Sequence, residues 1–492
     1  MRPSQTIICA LGLVGVLNAS ASPFATEVVR ASGTFGPVPY HDPNSVLRAP
    51  ATSFRDFFGV TARVKLVEAA YYLASTNTGL LTTNLILTVG AGDEIIVRFD
   101  SPIQDDPAHP YGVDLLVFGN AFFTPNQFVN DNTDMGACVL NGPIFSEPLK
   151  VSVSPGFTGQ LGEIANDPDT WPWYRYDNGP FADSAFPTQA YQWNRATTNW
   201  SSQLMDFTKP VNPALQSLFT AGGLTAADGI DLYAGAGGGT GFDLRESGFA
   251  WIQYVKVEGV DPDFSDGEVD AFAAVRSMHI GDTLSIAPEN LARNTAVLFF
   301  QNPSAETETT VSLAFAAVSG LAQVFTAPLT NWSSFAALPG TVRTAVQLNF
   351  TPLLGTTPVT FTADLALSAG TNYFGNGSDL LVLQSSGTNW TARPFTYHST
   401  NQQVRVAGLT NFSAFVVAQF TAPTLQLAAN GADYNIRFTP VASLTHTLER
   451  STNLMHWSAL GSFIASNALP VVLTDDAAPT TKAFYRVRLD QP

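Results

Sequence analysis

Cysteine is almost missing from this chain. Only Cys9 and Cys138 occur, and Cys9 lies in an N-terminal apolar run, so no intramolecular disulfide is expected in the mature protein and the fold must stand on its core. Cys138 has no histidine near it in sequence and reads as a buried small hydrophobe. Positive charge is also scarce: 23 Lys and Arg face 40 Asp and Glu, a net charge of −17, which disfavours an electrostatic partnership with nucleic acid or anionic lipid. The six histidines, at 41, 109, 279, 398, 446 and 456, form no helical His-x-x-x-His pair, so a catalytic zinc site has no support. There is no Gly-x-Ser-x-Gly elbow, and the glycine-rich GAGGGTG (235–241) lacks the Lys-Ser/Thr ending of a phosphate loop, which leaves a tight connection as its reading. Long apolar runs are missing too. The clearest, Ile7 to Leu17, spans eleven residues, too few to cross a bilayer core that needs about 20 helical residues.

That short run follows Met1-Arg2-Pro3 and precedes Ala19-Ser20-Ala21, the charged, apolar and small-residue plan of a secretory signal peptide. Cleavage after Ala21 is expected, giving a secreted or cell-surface protein with no transmembrane segment once the signal is removed. At about 100–200 residues per domain the remaining chain has room for about three domains. The acidity concentrates in residues 22–278, which hold 29 Asp and Glu against 13 Lys and Arg, a net of −16.

Period-two alternation recurs in that first segment, in EIIVRFDSPI (94–103), VDLLVFGNAF (113–122), LKVSVSPG (149–156), FAWIQYVKVEGV (249–260) and EVDAFAAVRSM (268–278), all read as strands. Helical periodicity is confined to short pieces such as Pro213 to Ala221. Residues 279–420 shift to Thr, Ser, Ala, Val, Leu and Phe in runs such as TAVQLNF and VTFTADLALS, a second antiparallel sandwich, with a faint echo between Asn331–Phe335 and Asn411–Phe415. Residues 421–492 give six or seven short strands, a small sandwich with Trp457 and Tyr485 as its expected core aromatics. The fold class expected is all-β: a β-sandwich with long loops over 22–278, which the resemblance given below makes a jelly-roll sandwich, then two smaller antiparallel β-sandwiches over 279–420 and 421–492.

Four patches carry a resemblance: PYHDPNSVLRAP, LTVGAGDEIIVRFDSPI, GVDLLVFGNAFF with FSEPLKVSVS, and GGTGFDLRESG with WIQYVKVEG and EVDAFAAV. From Tyr40 to Val275 the chain resembles an uncharacterised jelly-roll module of secreted and surface proteins of environmental bacteria; the resembled pattern places an acidic residue where Gly119 stands. Asn389-Trp390 through Phe415 resembles a β-sandwich closing on an Asn-Phe-Ser-x-Phe-like strand, and LERSTNLMHW with AFYRVRL resembles a C-terminal fibronectin-like module. The resemblance implies fold and exported location rather than an activity.

Four of the eight tryptophans fall between 171 and 200. Flat rings stack on the apolar C–H faces of sugars while Arg, Asn and Asp bond the hydroxyls, so Trp171, Trp173, Tyr176 and Trp193 are the candidate ligand-binding residues. The competing expectation is that a long loop needs its own small core and that these rings supply it. The second candidate site is a Ca²⁺ site in the turn Asp261, Asp263, Asp266 and Asp270, because hard cations take six to eight oxygen ligands and would cancel the repulsion of such a run. Its spacing departs from the helix–loop–helix calcium loop, and the competing expectation is a solvated acidic turn. No catalytic residue can be chosen among so many acidic groups. The functional expectation is an exported, non-catalytic binding or adhesion protein recognising carbohydrate or another surface component, such as a surface protein, through the first module. The alternatives are a structural envelope or matrix protein without a small-molecule ligand, and a polysaccharide-active enzyme with two carboxylates facing across a cleft.

Overall fold

The computed structural model describes residues 21–56, 59–74, 81–259, 266–302, 309–329, 340–355, 358–370, 373–375, 377, 379–441, 444–467, 469–480 and 482–490. The signal segment before residue 21, Asp261, Asp263 and the Asn331–Phe335 stretch lie outside the described residues. The chain is all-β, with 47% of it in strands and 8% in helix, so the strands decide the architecture. Every strand pairing among the described residues is antiparallel, isolated bridges aside, and stays within one of three blocks: 22–278, 279–420 and 421–492.

In the first block a five-stranded sheet runs in the order Glu27–Ser32, Glu94–Gln104, Trp251–Glu258, Lys150–Ser154, Tyr174–Arg175. A three-stranded sheet, Thr240–Phe242, Leu115–Phe118, Ala271–Ala274, lies against it. Alternation sends Ile95, Val97, Phe99, Val151, Val153, Val255 and Val257 inward from the larger sheet onto Leu115, Val117, Phe242 and Phe272 of the smaller. The central strand of the smaller sheet is buried on both sides, since Leu116 and Phe118 turn the other way into a second core. That second core continues from Ala271, Ala273 and Met278 to Leu284, Leu298 and Phe300, so the first two blocks share one apolar interior.

The expected helical piece is present as a 3₁₀ turn, Pro213–Leu215, running into the helix Gln216–Thr220. A further helix, Ala226–Leu232, starts at Thr225, whose hydroxyl accepts from Asp228 N while the Asp228 carboxylate accepts from Thr225 N. These helices and the loops around them close over a third core of Phe123, Phe186, Phe219, Tyr233 and Cys138. The GAGGGTG run is a tight connection, as expected: a Cβ on Gly238 would lie 2.3 Å from the Pro187 carbonyl oxygen.

The second block pairs a six-stranded sheet (Thr283–Ile286, Ala322–Pro328, Thr341–Pro352, Ala414–Gln419, Leu380–Ser386, Asn389–Arg393) with a five-stranded one (Val297–Gln301, Thr310–Val318, Phe361–Ser368, Gln403–Leu409, Thr396–His398). Buried polar pairs bolt it to the first block. Tyr111 donates to the Ser285 carbonyl at 2.8 Å, and Asn212 and Asn290 exchange amide bonds at 2.8 and 2.9 Å. The third block, two three-stranded sheets, meets the second through the small cluster Leu381, Phe420, Val441 and Leu444. Tyr485 packs against its core, as expected, but Trp457 does not: it is half-buried with the Arg486 guanidinium 4.2 Å from its ring centre.

Candidate functional site

The larger sheet of the first block has an outer face built by the same alternation that fills the core. Three cross-strand rows form it: Glu27, Arg98 and Tyr254; then Arg30, Ile96 and Lys256; then Ser32, Glu94 and Glu258. Ions link the rows. Arg98 meets Glu27 at 2.9 Å, Arg30 Nε donates to Glu94 at 2.9 Å, and Lys256 lies 3.3 Å from Glu94. Ile96 is fully buried on this outer face because a loop crosses over it.

That loop carries the first two tryptophans of the aromatic stretch. Asp167 caps the 3₁₀ turn Pro168–Thr170, the Trp171 indole donates to the Ile164 carbonyl at 3.0 Å, and the Trp173 indole donates to the Pro168 carbonyl at 2.7 Å. Asp169 anchors the turn to the sheet through Arg30 at 2.7 Å; the Arg30 guanidinium holds the Asp169 carboxyl below its usual range, and Asp169 and Glu94 raise Arg30. With their N–H groups bound to backbone, the rings are fixed by their faces. Trp171 lies 4.6 Å from Tyr254 between ring centres, and Trp173 stacks 6.5 Å behind Trp171 with the Lys256 ammonium 5.3 Å from its centre. The result is a groove of about 390 Å³ lined by Trp171, Tyr254, Arg98, Glu27, Arg30 and Asn166. Trp171 is 8% exposed, one wall of this groove rather than a free-standing plate.

The other aromatic candidates lie elsewhere. Tyr176, 1% exposed, sits between the two sheets with its ring 5.1 Å from Phe242 and its hydroxyl donating to the Asp243 carbonyl at 2.9 Å. Trp193, 7% exposed, packs edge-on to Trp200 at 4.9 Å in the core of the helical insertion. The expectation that Tyr176 and Trp193 belong to a binding face is therefore corrected: both are core residues, because the loops that carry them need buried area to stay ordered. Tyr254, Arg98, Arg30 and Glu27 were not singled out from the sequence, although alternation in WIQYVKVE places Tyr254, Lys256 and Glu258 on one face.

The calcium candidates separate as well. Asp266 is exposed and nears Gly90, where a Cβ would lie 2.8 Å from one Asp266 oxygen and 3.4 Å from one of Asp93. Asp270 is 1% exposed and engaged inside the fold, 2.8 Å from the Arg48 guanidinium and accepting from Ala51 N at 2.7 Å. Asp270 thus stands in an internal ion pair. Two other carboxylate trios do come together within 4.8 Å: Asp105, Asp114 and Asp243, and Glu147, Asp183 and Glu268. Asp114 already accepts from His109 Nδ1 at 2.7 Å and Leu244 N at 2.9 Å, and Asp183 accepts from Ala121 N at 2.7 Å. Burial beside Glu147 and Asp183 pushes Glu268 up to about 9, so a retained proton relieves that trio. Gly119 faces the second trio. A Cβ there would lie 2.3 Å from an Asp183 oxygen, so the Asp183 carboxylate already fills the space that an acidic residue at 119 would need.

A larger cleft, about 490 Å³, lies where the first two blocks meet. Its charged groups hold the joint. Arg276 bridges Asp206 and Asp282, each at 2.7 Å, and Lys209, which burial lowers to about 8, donates to the Ala234 carbonyl at 2.6 Å and to that of Thr283. The smaller groove on the sheet is the better candidate because aromatic rings and polar side chains line it together.

Compared with known proteins, the chain matches no protein-family model, no curated protein and no solved structure.

Proposed function

We propose that the first block is a non-catalytic, jelly-roll carbohydrate-binding module of an exported protein, and that the groove walled by Trp171 and Tyr254 takes a neutral glycan. The observation that carries this reading is the presence of two fixed aromatic rings, Trp171 and Tyr254, with the Arg98–Glu27 and Arg30–Glu94 ion pairs along one groove. A sugar hydroxyl both donates and accepts, so a carboxylate and a guanidinium side by side can meet one hydroxyl each, or one between them, while the sugar's C–H groups pack against the aromatic wall of the groove. Because the cations are already balanced by carboxylates, the groove has no excess of positive charge with which to select an acidic ligand. The test is affinity electrophoresis of the full chain in gels containing hydroxyethyl cellulose, xylan, glucomannan, mixed-linkage β-glucan or laminarin. Retardation by at least one, weakened in Trp171→Ala, is expected. Unretarded migration in all of them rejects the reading.

The burial of Tyr176 and Trp193 favours a second reading, a structural envelope or matrix protein whose aromatics serve the fold alone. In that case Trp171→Ala lowers the melting temperature and changes no binding. A glycosidase reading draws least on the groove, since Glu27, Glu94 and Asp169 are each held in ion pairs.

A further inference from the structure

A third cavity, of about 290 Å³, lies at the joint of the first two blocks and shares no residue with the groove on the sheet. It is small, since ligand pockets run from about 300 Å³ upward. Val113, Phe186 and Val211 line it and are buried, with the half-buried Pro213 beside them, whereas Arg293 and Glu246 line it and are exposed. The cavity is therefore apolar at its buried end and charged at its mouth. The two charges come from different blocks: Glu246 from the 3₁₀ turn Leu244–Ser247 of the first, and Arg293 from the end of the helix Pro288–Ala292 of the second. The Tyr111–Ser285 and Asn212–Asn290 bonds hold those blocks together.

In the sheet groove and in the larger cleft the cations are met inside the chain, Arg98 by Glu27, Arg30 by Glu94, and Arg276 by Asp206 and Asp282. Here they are not. Arg293 and Glu246 line one cavity, yet neither side chain makes an ion pair or hydrogen bond among the described residues. Opposite charges held apart at one mouth suit a ligand that carries both. The backbone of the wall is also strained: Tyr111, at φ 61°, and Phe186, at φ 49°, both line the cavity from the left-handed region, which bulky residues avoid. Such conformations gather at ligand sites, where the surrounding structure over-determines them. The Tyr111 hydroxyl is committed to Ser285 and the Phe186 carbonyl accepts from Gly239 N at 2.7 Å, so the wall is set before a ligand arrives. Asp243 lines the cavity as well, and burial, with Asp114 and Asp105 adding, holds its carboxyl above the ordinary range, which favours a cation beside it.

We infer that this cavity is a second binding site, for a free apolar α-amino acid, with the ligand's side chain against Val113, Phe186 and Val211, its carboxylate on Arg293 and its ammonium on Glu246 and Asp243. The site is independent of the glycan reading. A free amino acid fits better than a longer peptide, because the cavity is small and its two charges stand at one mouth.

The test titrates the full chain by calorimetry with L-leucine and L-phenylalanine, with their amides, which lack the carboxylate, with 4-methylpentanoate and 3-phenylpropanoate, which lack the ammonium, and with glycine, which lacks the apolar body. At least one of the two amino acids should bind about tenfold or more tightly than its own amide, its own acid and glycine. Arg293→Gln should remove its advantage over the amide, and Glu246→Gln its advantage over the acid. Both positions are exposed, so both variants should keep the wild-type denaturation midpoint, which separates lost binding from lost folding. No heat of binding with either amino acid at millimolar concentration overturns the site. So does an amino acid bound no better than its amide and its acid, or binding indifferent to both substitutions. Tighter binding of the dipeptide Leu-Leu than of leucine overturns the free amino acid as the occupant.

Discussion

Trp171 and Trp193 belong to one aromatic-rich stretch and are almost equally shielded, at 8% and 7% exposure, yet they stand in different parts of the molecule. Trp171 lies on the outer face of the larger sheet, its N–H bound to backbone and its ring forming the wall of a groove. Trp193 lies inside the helical insertion, against Trp200, with no hydrogen-bond partner for its N–H among the described residues. Exposure alone does not tell the two rings apart. What separates them is their surroundings: Tyr254, Trp173 and a groove edged by ion pairs beside Trp171, and an apolar cluster with Phe186 and Phe219 around Trp193.

The sharpest way to break this comparison is Trp193→Ala. Emptying a ring-sized volume in the insertion core should destabilise the chain by about 3–5 kcal/mol, read as a lower midpoint in chemical denaturation. A loss under about 1 kcal/mol would remove Trp193 from the core and dissolve the contrast. Tyr254→Ala sits on the other side. It removes the ring facing Trp171 from a sheet face and should weaken glycan retardation strongly while lowering the denaturation midpoint less than Trp193→Ala does. If Tyr254→Ala leaves retardation intact, the groove is not the site.

Tyr176 was expected on the binding face and lies in the core, so Tyr176→Phe tests its reassignment. Losing the hydroxyl bond to the Asp243 carbonyl should lower stability by about 1 kcal/mol without changing glycan affinity. A change in affinity with stability untouched would return Tyr176 to the site. Two further tests vary pH and salt. Glu268 is pushed up to about 9, above its ordinary value, so the folded chain holds that proton through the window between the two and stability falls as pH rises across it. Glu268→Gln should flatten the decline of the melting temperature between pH 5 and pH 9. Glycan affinity should hold nearly constant between low and moderate salt, because the groove's charges are paired internally; a steep fall with salt would point to an acidic ligand instead.

The all-β class and the main strands of the first block were legible because alternation in EIIVRFDSPI and WIQYVKVE is regular. The same alternation held the site's other half. Tyr254 is readable as outward-facing, but its neighbours Arg98 and Glu27 come from strands remote in sequence, and only the register joins them. The aromatic stretch was legible as a concentration of rings and illegible as two populations, because that division depends on which loop segment crosses the sheet. Asp270 shows the same limit: its run reads as a cation turn, and Arg48, 222 positions away in sequence, claims it. Helix Ala226–Leu232 carries a capping box that sequence could have revealed, with Thr225 followed by Asp228 in place of the usual Glu or Gln.

One side-by-side measurement bears most directly on the central claim. Wild type, Trp171→Ala and Trp193→Ala, each held well below its own melting temperature, are titrated with the polysaccharide that retards the wild type. The account predicts that Trp193→Ala binds as wild type does and that Trp171→Ala loses most of its affinity. Equal losses in both variants, or a greater loss in Trp193→Ala, would contradict it.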